Sequence, residues 1–414
     1  MLLTAILVVS VIDIYQIESA EAQLTNSSVS ELIEKGNSFY DLGRYDEAIY
    51  WYDKVLGIDP NYVDALYNKG HALYDLGRYE EAISSYDKAL EIDPKYVNAL
   101  HGKGLAIAEL DGYEKAISWY DKALEIDPKS VGTLVNKGIA LGNLLRLEEA
   151  IISFDKALEV DPEFVDALTN KGTALRELGR YEEAIPWYDK ALAVDPKNVD
   201  SLFNKALAFS SLGRHEEAIT WDEKALALDS THIDALINKG ASLHELGRYE
   251  EAISSYDKAL EIDPKNVGAL SNKGLALVQL GKPLEAISLY DKALENNPRD
   301  AYTLFNKAVA FSKLGRYEEA VTLYDKALEV DPKDVKALVN KGGALAELGR
   351  YEDAITSFDK ALEINPNDSY ALSNKGVVLA NLDMTQDALA SLEKALTIDP
   401  SNQMALDLKS KLQE

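Results

Sequence analysis

Apolar and polar positions recur along the chain with a period of 34 residues, and each period divides into two helix-like halves. In the stretch VDALYNKGHALYDLGRYEEAISSYDKALEIDPKY, Leu66, Gly70 and Leu73 fall on one face at helical spacing. Ile83, Tyr86 and Leu90 do the same in the second half. Gly77, between the halves, is suited to the left-handed conformation that ends a helix. Glu80 and Glu81 open the second half, where acidic side chains complement the helix dipole. Pro94 stops it, because proline lacks an N–H and restricts the residue before it. Ser130, Asn198, Asn266, Asp300, Asp334 and Asp368 stand where a following repeat begins and are expected to cap its first helix.

The spacing tolerates no insertion. Steps of 34 lead from Asp59-Pro60 to Asp93-Pro94 and onward to Asp399-Pro400. The segment RYEEAISSYDKALEIDPK even occurs twice, at Arg78–Lys95 and at Arg248–Lys265, five periods apart. Eleven repeats fill residues 29–402, and positions are numbered 1 to 34 from Val29. Position 8 is glycine in nine repeats and alanine in two, Ala206 and Ala308, while position 20 is alanine in all eleven. Such small residues mark where two helices approach closely. Position 7 is lysine throughout, from Lys35 to Lys375, with Asp53, Asp87 and their equivalents as candidate partners for the ammonium. Repeat 6 departs most, with Ala206, His215, Asp222 and Ser230 at consensus positions, and repeat 11 carries Asp383-Met384-Thr385 where most repeats read Gly-Arg-Tyr.

This pattern resembles the tetratricopeptide repeat: leucine at position 4, a small residue at 8, tyrosine at 17, alanine at 20, an aromatic at 24, alanine at 27 and proline at 32. The resemblance covers residues 29–402. It implies an all-α, right-handed superhelical α-solenoid of helix-turn-helix units whose first helices line the concave side. Residues 403–414 place Met404, Ala405, Leu408 and Leu412 at helical spacing and are expected to form a capping helix on repeat 11. Residues 1–28 read as a signal-like or anchor segment and short linker. Their apolar run from Leu2 to Ile12 and the triplet Ala20-Glu21-Ala22 resemble a secretory signal, although no Lys or Arg precedes the run. Export or membrane anchoring is therefore expected, with a cytoplasmic chain as the alternative.

A row of asparagines at position 6 is the leading functional candidate: Asn68, Asn136, Asn170, Asn204, Asn238, Asn272, Asn306, Asn340 and Asn374. Asparagine is a mediocre helix former, and its amide supplies both donors and an acceptor. A line of such amides could pair with the backbone of an extended polypeptide whatever its side chains. The row resembles the asparagine ladder in the tetratricopeptide arm of the O-linked N-acetylglucosamine transferases. Tyr67, His71, Tyr74, Phe203, His244 and Phe305 flank it and are candidates to seat side chains of a bound peptide. The competing reading has the amides bonding neighbouring repeats and the aromatics filling space between helices. The family's carboxylate clamp is not expected, because position 5 is never lysine and only Asn37 stands at position 9.

Composition narrows the partners. Across 414 residues the formal charge is −27, from 70 acidic against 43 basic side chains, which disfavours nucleic acid and anionic membrane surfaces. A membrane role would require the N-terminal segment as an anchor. There is no cysteine, and the five histidines lack the i, i+4 spacing of a helical zinc site. No catalytic residue, metal or cofactor is expected. The reading is a non-enzymatic protein–protein interaction module that binds an extended or helical segment in its concave groove. The alternatives are an assembly scaffold acting through its acidic convex face or by self-association, and a substrate-recruiting arm for an enzyme on another chain.

Overall fold

The computed structural model describes residues 28–110 and 112–413, so the signal-like segment at 2–22 lies outside the described residues. Among the described residues there are 23 α-helices and no strand. No helix among them is long and apolar enough to cross a membrane. The chain is a solenoid of helix pairs, and its described residues divide into two compact units, the second beginning at Leu202.

Repeat 2 shows how sequence sets each pair. Its first helix is Val63–Asp75 and its second Tyr79–Ile92. Gly77 takes a φ of +73°, which lets the Arg78 N–H donate to the Leu73 carbonyl at 2.9 Å and closes the first helix. The second helix ends at the Asp-Pro turn, where the Asp93 carboxylate accepts the Lys95 N–H at 3.0 Å. The same bond recurs from Asp59, Asp127, Asp195, Asp263 and Asp331, so these acids serve the turn itself. In repeat 6, where Ser230 replaces the proline, Thr231 gives Asp229 a second bond through its hydroxyl at 2.7 Å. The expected caps at Asn198, Asn266, Asp300, Asp334 and Asp368 each accept the N–H three residues on. Ser130 does not. It starts its helix, but its hydroxyl pairs with Thr133 Oγ1 at 2.8 Å.

Within each unit a first helix packs on its own second helix, and that second helix packs on the next first helix. First helices of consecutive repeats also approach one another, whereas consecutive second helices do not. The first helices therefore lie on the inside of a local curve and the second helices on the outside. Close approach within a repeat depends on position 8. A Cβ added at Gly172 would lie 2.6 Å from Tyr188 Cε1, and one at Gly240 would lie 2.4 Å from Tyr256 Cε1. Those rings are the largest fully buried side chains of their repeats. Repeat 3 shows a second such contact: Gly102, which stands where nine repeats carry asparagine, lies under the ring of Tyr86 from the repeat before.

The position-7 lysines meet the expected acids. Lys69 reaches Asp53 at 2.6 Å, and Lys103, Lys137 and Lys171 pair with Asp87, Asp121 and Asp155. In the second unit Lys239 reaches Glu223 at 2.6 Å, and Lys273, Lys307, Lys341 and Lys375 each hold an aspartate of the repeat before. Every pair stitches one repeat's second helix to the next repeat's first. With the acid half exposed, each is worth about 0.2–1 kcal/mol. Beyond repeat 11, the helix Gln403–Gln413 lays Leu408 and Leu412 on a cluster with Leu372, Leu392 and Ala395. The buried Asn402 anchors it, donating to Ser369 and Ser373 at 2.9 Å and accepting the Ala405 N–H.

Candidate peptide-binding face

Position 6 lies on the first helices, the inner side of each unit, but its nine amides are not equivalent. Asn170, Asn340 and Asn374 each turn their Nδ2 back to the carbonyl four residues earlier, at 2.8–2.9 Å. That bond spends one donor proton and fixes the direction of the amide. Asn68 donates to Asn37 Oδ1 at 3.2 Å, and Asn272 accepts from the Tyr302 hydroxyl at 3.1 Å. Asn136 donates to His101 Nε2 at 3.1 Å. Asn204 is half-buried and has a partner within the protein. Asn238 and Asn306 are buried. Seven residues of the row are thus at least partly exposed, and two are buried.

Two aromatic candidates of the first unit, Tyr67 and His71, form one group with Tyr40 and Tyr96. Tyr40 stacks on His71 with centroids 5.1 Å apart, and Tyr67 also stacks on His71, at 5.9 Å. The Tyr40 hydroxyl donates to Asp75, and burial together with that carboxylate pushes its phenol up. Tyr96 meets Tyr67 edge-on and donates to Asp64 at 2.7 Å. Tyr74 packs instead on Tyr79. Next along, His101 is held by Asn136 and by Thr133, whose Oγ1 lies 2.8 Å from Nδ1. Because Nε2 accepts from the amide, the ring proton sits on Nδ1 and is donated to Thr133. Burial, with a contribution from His71, lowers the His101 pKa to about 4, so the ring is neutral at physiological pH. In the second unit the candidates stay within their own repeats: Phe203 against His232, His244 against Tyr249, Phe305 against Tyr324.

Asp222 went unnoticed as a site in the sequence, although it breaks the aromatic consensus at position 24. It is fully buried, and its Oδ2 accepts from Asn238 Nδ2 at 2.8 Å while Oδ1 finds no partner. Burial, only partly offset by Asn238 and Lys239, raises its pKa to about 8. No group of three or more potential metal-ligating side chains occurs among the described residues.

Family profiles described as tetratricopeptide repeat match residues 135–199, 271–335, 305–369 and 339–403, and further ones match 63–96 and 97–130. A profile described as TPR repeat matches 36–77 and 240–281, and one for anaphase-promoting complex, cyclosome, subunit 3 matches 177–259. Among solved structures, the APC/C hetero-tetramer Cut9–Hcn1 is similar at a TM-score of 0.55 and 17% identity, over 95% of this chain and 98% of that one. Yeast Tom70 aligns at 0.48 and 18% identity, over 93% and 95% of the two chains. YrrB, a TPR protein with an unusual peptide-binding site, aligns at 0.39 and 28% identity, over 46% of this chain and 97% of that one. No curated protein sequence matches the chain significantly. The helix pairs, the glycine–aromatic contacts and the tetratricopeptide-repeat profiles agree: the chain belongs to the tetratricopeptide-repeat family, a fold that serves protein–protein interaction.

Proposed function

We propose that the inner face binds an extended or helical segment of another protein, gripping its backbone through the solvent-reaching amides of position 6. The observation that carries this reading is the matched geometry of Asn170, Asn340 and Asn374. Each uses one amide proton to fix its orientation, leaving the second proton and the carbonyl oxygen for a backbone. The stacked Tyr67 and His71 supply an apolar seat beside Asn68. Asn238 and Asn306 act inside the fold in this reading, and the grip falls to the other members of the row. The chain works without chemistry of its own, as a binding module.

The test is a displayed library of unstructured peptides panned on the full chain. Selected peptides are then titrated against wild type and a variant with Asn68, Asn170, Asn340 and Asn374 changed to Ala. Affinity at least ten-fold weaker in the variant is expected. Equal affinity would remove the amides from the binding account.

A further inference from the structure

In several repeats a ring at position 12, near the end of the first helix, packs on the tyrosine at position 17. Tyr40 meets Tyr45, Tyr74 meets Tyr79 and His244 meets Tyr249, with centroids 5.3, 5.4 and 5.2 Å apart. Repeat 4 has neither ring. Its position 12 is Gly142 and its position 17 is Leu147. Its position 24 is Phe154, without the hydroxyl that tyrosine brings to most repeats. No other repeat has glycine at position 12. Glycine is a poor helix former, so the helix Val131–Asn143 gives up propensity at this place.

A cavity of about 130 Å³ opens there, between the first helices of repeats 4 and 5, Val131–Asn143 and Val165–Glu177. Leu147, Phe154 and Ala174 are buried beneath it, and the half-buried Ile139 and Gly142 reach its mouth. A Cβ added at Gly142 would find nothing within 4 Å. Asn170 also lines the cavity, with one amide proton held by the Asp166 carbonyl at 2.8 Å. The one charged side chain on the lining is the exposed Glu177, which Arg176 approaches only to 3.6 Å. Asp41, Asp75 and Glu109 hold the position equivalent to Glu177 in repeats 1 to 3, and all are exposed.

We infer that this cavity receives a bulky apolar side chain, of phenylalanine size, from a segment bound on the inner face, with lysine or arginine beside it in that segment. The inference deepens the inner-face reading and rests on it. Rings of the chain itself occupy the equivalent place in repeats 1, 2 and 7, and burial against apolar walls favours one here. Asn170 leaves its second amide proton and its oxygen for the backbone that carries the side chain. Glu177, with no cation on the lining, selects a basic neighbour for it.

The chain has no cysteine, so Asn143→Cys gives the full chain a single thiol at the mouth of the cavity. This protein is equilibrated under thiol exchange with equal amounts of the capped peptides Cys-Lys-Phe-Lys, Cys-Lys-Ala-Lys and Cys-Asp-Phe-Asp. Mass spectrometry then reads the mixed disulfides. Capture of Cys-Lys-Phe-Lys about five-fold or more above either competitor is expected. Gly142→Leu, added to the same chain, fills the cavity and should remove the preference for phenylalanine over alanine while the helical circular dichroism stays unchanged. If that variant misfolds, Ile139→Asn places in the cavity the residue that repeat 1 carries at this position as Asn37, and should lower the preference about three-fold. Equal capture of the phenylalanine and alanine peptides, or a preference that survives the altered cavity, overturns the inference. Capture of the aspartate-flanked peptide as readily as the lysine-flanked one overturns the basic neighbour. The disulfide holds each peptide whether or not the amides grip, so equal capture counts against this cavity alone, whereas the four-asparagine variant tests the grip alone.

Discussion

At the scale of single residues, the exceptions to the repeat carry the sharpest consequences. Asp222 sits where other repeats bury an aromatic ring or leucine, and Ala206 stands in its repeat at the glycine position. Its folded-state pKa of about 8 lies above the ordinary carboxylate value of about 4. Between those values the folded chain keeps a proton that the unfolded chain has released, so stability falls as pH climbs through that window. Asp222→Asn keeps an oxygen for Asn238 and removes the titration. Thermal melts at pH 5 and pH 8 should show the variant stabilised at the higher pH, by about 1–3 kcal/mol, with little change at the lower. A parallel slope in both proteins would dismiss the assignment. Leu145 is a second exception, at φ +59° with 79% of its surface exposed. Its side chain gains almost nothing from packing and strains the turn that glycine closes elsewhere. Leu145→Gly should stabilise the chain by about 1 kcal/mol, read as a shift in the urea midpoint.

At the scale of the element, two glycines separate packing from propensity. Gly172→Ala would push a methyl into Tyr188 and should cost about 1–3 kcal/mol. Gly142 lies in the helix Val131–Asn143 with nothing within 4 Å of an added Cβ, so Gly142→Ala should stabilise by about 0.5–1 kcal/mol. Opposite signs in denaturant titrations are the expected result. The helices, turns and caps were legible in the sequence because each rests on local chemistry repeated in phase. Even the lysine–aspartate pairing could be anticipated, since both residues recur at fixed positions 16 apart, as in Lys69 and Asp53. Position 6 was legible only as a row. The partner each amide takes depends on what lies one repeat away: Asp222 for Asn238, His101 for Asn136, its own helix for Asn340. His232 likewise caps its helix through Nδ1, accepting the Ala235 N–H at 3.1 Å, a role its residue type does not announce.

At the scale of the whole molecule, stability is a sum over repeats and their junctions, and charge acts on all of them together. A formal charge of −27 opposes compaction, while the lysine–acid pairs favour it. Raising salt from about 0.01 to 0.15 M shortens the screening length from about 30 to 8 Å. That weakens long-range repulsion more than contacts near 2.6 Å. The melting temperature should therefore rise with salt over this range in differential scanning calorimetry. A fall would mean that the ion pairs dominate. The contrast between touching inner helices and separated outer ones has a mechanical corollary. Each unit is a row of hinges pinned along one edge, so its soft deformation is a fanning of the outer helices. A tensile load on either unit would be taken up first as a gentle uncoiling at little energetic cost, with rupture of any single repeat coming only later, and each unit would yield as a spring does.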